Sequence, residues 1–141
     1  GIGAVESGDR IGLGGGAHLE LLKRQKQGSY GELLGEHDVG LALMCTPHPS
    51  LVPLEMASAG LITVTNSFET KTADEMSALS ANLITVPPSL KGVVEGLELA
   101  VGRAEEFDER VRNSRVEWSR DWEESFGPKV VESIVELLDA T

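Results

Sequence analysis

The pattern of apolar and polar positions changes character between Asp38 and Phe68, where only Asp38 and Glu55 carry a formal charge at neutral pH. A stretch so poor in charge is normally interior. Val39 to Cys45 is a near-continuous apolar run, the length of a strand covered on both faces. It ends at Thr46-Pro47-His48-Pro49-Ser50, where two prolines remove backbone donors and force an extended turn. A helix follows, with Pro53 in its first turn, Leu54, Met56, Ala57 and Ala59 as compatible formers, and Gly60 as a left-handed stop. Leu61 to Thr65 reads as the next strand, residues 73 to 80 as a short helix, and Leu83 to Val86 as another strand closed by Pro87-Pro88.

Beyond Ser89, a natural N-cap, the period becomes helical, with Val93, Val94, Leu97, Ala100 and Val101 at spacings of three and four. Further helices are expected over Glu109 to Arg120 and from about Trp122 to Leu138, interrupted near Gly127-Pro128. Toward the other end, Ile2 to Val5, Arg10 to Leu13 and Leu19 to Leu22 each fit a short strand, and Tyr30 to His37 a helix. Strands alternating with helices predict an α/β fold, a Rossmann-like doubly wound parallel sheet with a helical C-terminal tail from about residue 89.

Composition narrows the function classes. The 141 residues suit one domain, and 12 Lys+Arg against 23 Asp+Glu give a net charge of −11, which disfavours a phosphate backbone, so no nucleic-acid partner is expected. The last fifty residues hold 13 acids and 6 bases and read as a solvated helical face. A single cysteine, Cys45, excludes an internal disulfide and a cysteine-rich zinc site, and His18, His37 and His48 share no close ligand spacing, so no metal or other cofactor is expected. No run approaches the roughly 18 apolar residues of a membrane span, and no leader is visible, so a cytoplasmic protein is expected. The chain starts at Gly1 without Met, as a piece of something longer would.

Three features could carry chemistry. Gly12-Leu13-Gly14-Gly15-Gly16-Ala17 approaches a dinucleotide fingerprint, but no good phosphate-binding helix follows, and a glycine turn is the better reading. Pro47-His48-Pro49-Ser50 stands where an apolar strand meets a helix start, the end of a parallel sheet where anions gather; alternatively His48 is a loop histidine whose ring nitrogens satisfy nearby carbonyls. Glu55 is either a first-turn carboxylate favoured by the helix dipole or a buried acid that needs partners such as ligand hydroxyls.

The runs Asp38 to Met44, Pro47-His48-Pro49-Ser50, Pro53-Leu54-Glu55-Met56-Ala57 with Gly60, and Val64-Thr65-Asn66 with Glu69 and Lys71 resemble the nucleotide-sugar domain of GT-B glycosyltransferases. The likeness is nearest to bacterial rhamnosyltransferase-like enzymes of surface polysaccharide synthesis, strong over residues 29 to about 88. It implies that residues 1 to 141 are the C-terminal, donor-binding half of such an enzyme, lacking its first strand-helix unit and partnered by an N-terminal acceptor domain. It implies a nucleoside diphosphate sugar as ligand, Glu55 on the ribose hydroxyls, and His48, Pro49, Ser50 and Leu51 on the sugar and diphosphate. An acid that many relatives carry eight positions earlier is here Pro47, so the sugar contact differs. The basic residues of the family's missing unit find their candidates in Lys23, Arg24, Lys26 and Lys71, of which Arg24 and Lys71 are the possible phosphate contacts. The absent strand would leave an open sheet edge that invites self-association. The alternative is a non-catalytic nucleotide-binding or interaction module.

Overall fold

The computed structural model describes residues 10–23, 25–119 and 121–139. The strand expected over Ile2 to Val5 and the candidate base Arg24 lie outside the described residues. The first described elements, β1 (Arg10–Gly14) and β2 (Ala17–Glu20), form an antiparallel hairpin. Gly15 and Gly16 at its tip have φ of 59° and 85°, the positive values a two-residue primed turn demands and a side chain resists. The glycine cluster is therefore a hairpin turn, followed directly by strand β2 and not by a helix that could cradle a phosphate.

After α1 (Gln27–Leu34) comes a parallel sheet of β3 (Val39–Ala42), β4 (Ile62–Asn66) and β5 (Leu83–Val86), in that spatial order. The crossovers are α2 (Leu51–Ser58) and α3 (Ala73–Leu79), and α4 (Leu90–Gly102) follows β5. Alternation along β4 builds a core on each face of the sheet. Ile62 and Val64 pack with Val86 and Ala100 under α4, while Leu54, Ala57, Met76 and Leu83 form a second cluster with α2 and α3. Helices thus cover both faces of a three-stranded parallel sheet, a mixed α/β arrangement compatible with half of a Rossmann-like fold. Gly96 permits the close approach of α4, since a Cβ there would stand 2.7 Å from Val86 Cγ1 and 3.0 Å from Val64 Cγ1.

Caps follow the sequence signals. Thr72 accepts from the Glu75 N–H and Ser89 from the Gly92 N–H, each satisfying a first-turn amide. Gly60 takes φ 89° just beyond α2 and ends it.

Two expectations need correction. The strand from Val39 stops at Ala42, and Leu41, Leu43 and Met44 are 44 %, 53 % and 41 % exposed, because among the described residues β3 pairs only with β4 and lies at the sheet edge. Helix α2 starts at Leu51, which puts Pro53 third, in the first turn as expected, where the amides have no intrahelical partner and proline loses nothing. The helix expected over Glu109 to Arg120 is only α5 (Phe107–Arg112), followed by irregular chain.

The Arg110 carbonyl, which a continued helix would offer to the Ser114 N–H, accepts instead from Asn82 Nδ2, and the Ser114 N–H turns to Val111 O at 3.2 Å. The buried Arg110 guanidinium donates to Gly60 O at 2.8 Å, to the Asp38 carboxylate at 2.8 Å, and to Ala104 O, stapling the tail to the amino-terminal side of the sheet. Asn82 adds a bond to Arg110 O at 2.8 Å and Ser80 one to Asn113 O at 2.6 Å. The chain ends in α6 (Trp122–Ser125) and α7 (Pro128–Asp139), neither with a buried residue. Among the described residues no helix is long and apolar enough to cross a membrane.

Candidate functional site

The carboxyl ends of β3 and β4 open beside the loop of residues 43 to 50, and this loop is held from behind. Asn66, the last residue of β4, accepts from the Met44 N–H at 2.8 Å and donates to the Met44 carbonyl at 3.1 Å. Lys71 Nζ donates to the same carbonyl at 3.1 Å. The Met44 peptide is thus clamped on both sides to the end of the central strand. Lys71 is only 2 % exposed, buried behind the loop. Burial pushes its ammonium below the usual lysine range, partly offset by the neighbouring Cys45.

The loop then bonds to itself. The His48 N–H donates to Thr46 Oγ1 at 3.0 Å, and the Ser50 N–H donates to His48 Nδ1 at 2.9 Å. An Nδ1 that accepts leaves the neutral ring's proton on Nε2. Ser50 adopts φ 69°, ψ 149°, a conformation that side chains strongly disfavour, and its hydroxyl does not cap α2. His48 is exposed, Pro49 and Ser50 are half-buried, and Leu51 is 58 % exposed; of the four, Ser50 lines the groove beside α2 and the other three do not. The His48 ring also meets Trp118 edge-on, centroids 6.1 Å apart.

Glu55 lies beyond the first turn of α2, and it is exposed. Both halves of its structural reading change: it is neither an acid on the first turn nor a buried one. It borders a groove of about 980 Å³ whose walls include Tyr30, Leu33, Leu43, Val52 and Met56. Burial raises the Tyr30 phenol above its usual range, and the negative charge of Glu55 raises it further. The groove therefore offers apolar walls with a phenol and a carboxylate near one another.

Of the bases among the described residues, Lys23 and Lys26 are exposed, and Lys71 is seated against the loop. Sequence reasoning missed the roles of Asn66, Tyr30 and Trp118. The sequence did contain signals for two of them: an amide directly after an apolar strand, and the chain's only tyrosine.

Parallel strands with helices on both faces, a self-bonded loop at their carboxyl ends and a groove that runs along β3 from Val39 to Met44 define a mixed α/β protein with a candidate site beside its edge strand. Residues 1–98 match the family described as WsaF, C-terminal domain, and the chain belongs to that family. It is also 39 % identical over 84 residues to the O-antigen biosynthesis protein RfbC of Myxococcus xanthus. That match takes in 60 % of this chain but 6 % of the relative, so the chain spans a small part of that protein's length.

Proposed function

We propose that the chain is the C-terminal, donor-binding domain of a cytoplasmic GT-B glycosyltransferase of surface polysaccharide synthesis, closest to the rhamnosyltransferase-like enzymes. It binds a nucleoside diphosphate sugar and works with an N-terminal acceptor domain. In the reaction the acceptor hydroxyl oxygen bonds to the anomeric carbon, the bond from that carbon to the diphosphate breaks, and the hydroxyl proton is released. The acid at position 55 accepts hydrogen bonds from the ribose hydroxyls, and His48, Pro49, Ser50 and Leu51 face the sugar and diphosphate. Lys71 sets a positive charge behind the loop, which favours an anion in front of it, and Arg24 is the second basic candidate.

The observation that carries this reading is the exposed Glu55 carboxylate at the edge of the groove, on a helix that follows a self-bonded, strained loop. A solvated carboxylate past the first helical turn contributes almost nothing through the dipole, whose effect fades within that turn. The family membership and the O-antigen relative support the polysaccharide context.

The test is calorimetric titration of ribo- and 2′-deoxyribonucleoside diphosphates into wild type and Glu55→Gln, with thermal melts alongside. Charge-assisted bonds from two hydroxyls contribute about 1.5 to 3 kcal/mol each before reorganisation, so Glu55→Gln should weaken the ribonucleotide about 10- to 100-fold. The loss should be smaller for the deoxy ligand, and the melting temperature should hold. Equal affinities in the two proteins would remove the ribose assignment.

A further inference from the structure

On the nucleotide-sugar reading of the loop, we propose that Trp118, on the tail 70 positions away from His48, is a positioning residue that fixes the His48 imidazole so that its Nε2–H serves the bound ligand. A single hydrogen bond, Ser50 N–H to Nδ1, holds the ring at one nitrogen and leaves its plane free to swing about that contact. The Trp118 indole supplies the second constraint. The rings stand 75° apart with centroids separated by 6.1 Å, the edge-to-face geometry that aromatic pairs prefer.

Trp118 can do this because the chain just before it is pinned to the core. Val116 packs against the cluster of Leu54, Ala57, Met76 and Leu83. The Glu117 N–H donates to Leu79 O at 2.9 Å, and the Trp118 N–H to Val116 O at 3.0 Å. The segment has no helical or strand ladder of its own, so these contacts set its path. Core packing on the α2 and α3 face is thereby transmitted to the loop ahead of α2. The indole remains 40 % exposed, so its placement is not explained by burial in the core. The matched family region stops at residue 98, so this contact joins His48, inside that match, to Trp118, beyond it.

The test is a double-mutant cycle of Trp118→Leu and His48→Ala, read by nucleoside diphosphate affinity, with Trp118→Phe as the conservative variant. Each single leucine or alanine change should weaken binding about 3- to 10-fold, and the double variant should bind no worse than His48→Ala alone, the signature of two residues acting as one. Trp118→Phe should keep most of the wild-type affinity. Losses that multiply in the double variant, or an unchanged affinity in Trp118→Leu, overturn the proposal.

A ligand-free arm separates this claim from the donor reading. The chain has three histidines, so the His48 ring protons can be followed by NMR, and Trp118→Leu should move them by loss of the indole ring current and render the Nε2–H tautomer less exclusive. If wild type binds no nucleotide, the donor reading fails while this arm still decides the coupling. Unchanged His48 resonances and tautomer in a folded Trp118→Leu would end it. Should the leucine variant fail to fold, the same comparison is made with Trp118→Phe, whose smaller ring shifts the His48 signals less but in the same sense; identical spectra would count against the contact.

Discussion

β4 and the chain that continues β3 are drawn from the same charge-poor stretch, yet they meet opposite fates. All five residues of β4 are buried, with Ile62 and Val64 wholly inaccessible, whereas Leu41, Leu43 and Met44 are between 41 % and 53 % exposed. Composition does not separate them. Position does: β4 has a strand on each side and a helix layer on each face, while β3 lies at the edge among the described residues. Apolar sequence therefore guarantees burial only where neighbours exist to bury it. Where they do not, contiguous exposed apolar surface marks a place for something else. Here that place is the groove bordered by Tyr30, Leu43 and Glu55.

Truncation is the most direct way to break this comparison. Ile62→Ala should destabilise the fold by about 2 to 5 kcal/mol, the lost transfer free energy plus the cavity left in a layer that cannot collapse. Leu43→Ala removes a side chain already 53 % exposed and should stay within roughly 1 kcal/mol of wild type. Urea unfolding of both variants measures the contrast. Similar losses would mean that the exposed segment is as tightly packed as the central strand.

Glycines sharpen the same contrast on a smaller scale. A methyl group at Gly96 would press into Val64 and Val86, both stiff side chains in a filled layer. Overpacking of this kind costs about 1 to 3 kcal/mol, against a helix-propensity gain of roughly 1. Gly96→Ala should therefore be net destabilising, whereas Gly12→Ala, with open space around its Cβ, should melt with the wild type. A Gly96→Ala protein that is more stable than wild type would show that α4 can shift away from the sheet.

What the sequence discloses divides along the same line. Elements with their own punctuation were legible: the strand before Pro87, the helix after Ser89, and the break at Gly127-Pro128 all fall where local chemistry puts them. The end of β3 was not, because an apolar run cannot report how many neighbours it has. Nor was the shortening of the helix over 109 to 120, where the Arg110 carbonyl accepts from Asn82, 28 positions away. In the site, the loop and the acid were visible as residue types. Their exposure, the clamp by Asn66 and Lys71, and the arrival of Trp118 depend on tertiary placement.

The smallest expected effect, and the one most specific to the groove, is on alkaline titration. Tyr30 keeps its proton in the folded state above 10.0, its ordinary value, so the unfolded chain loses that proton first. Folded protein then holds more protons than unfolded, and stability falls as pH rises from about 10 through the raised value. Lys71 has the opposite sign. Its folded pKa lies below 10.5, the unfolded chain holds more protons between the two values, and stability rises with pH across that window. Tyr30→Phe should abolish the fall and Lys71→Met the rise in unfolding free energy measured against pH. Because Tyr30 is the chain's only tyrosine, its phenolate absorbance also reads this one group directly. Burial is the first cause of its shift and Glu55 the second, so Glu55→Gln should lower the Tyr30 midpoint only part of the way toward the ordinary value. A midpoint that does not move would place the carboxylate too far from the phenol to share a ligand with it, while full reversion would mean that charge, and not the apolar groove, governs the site.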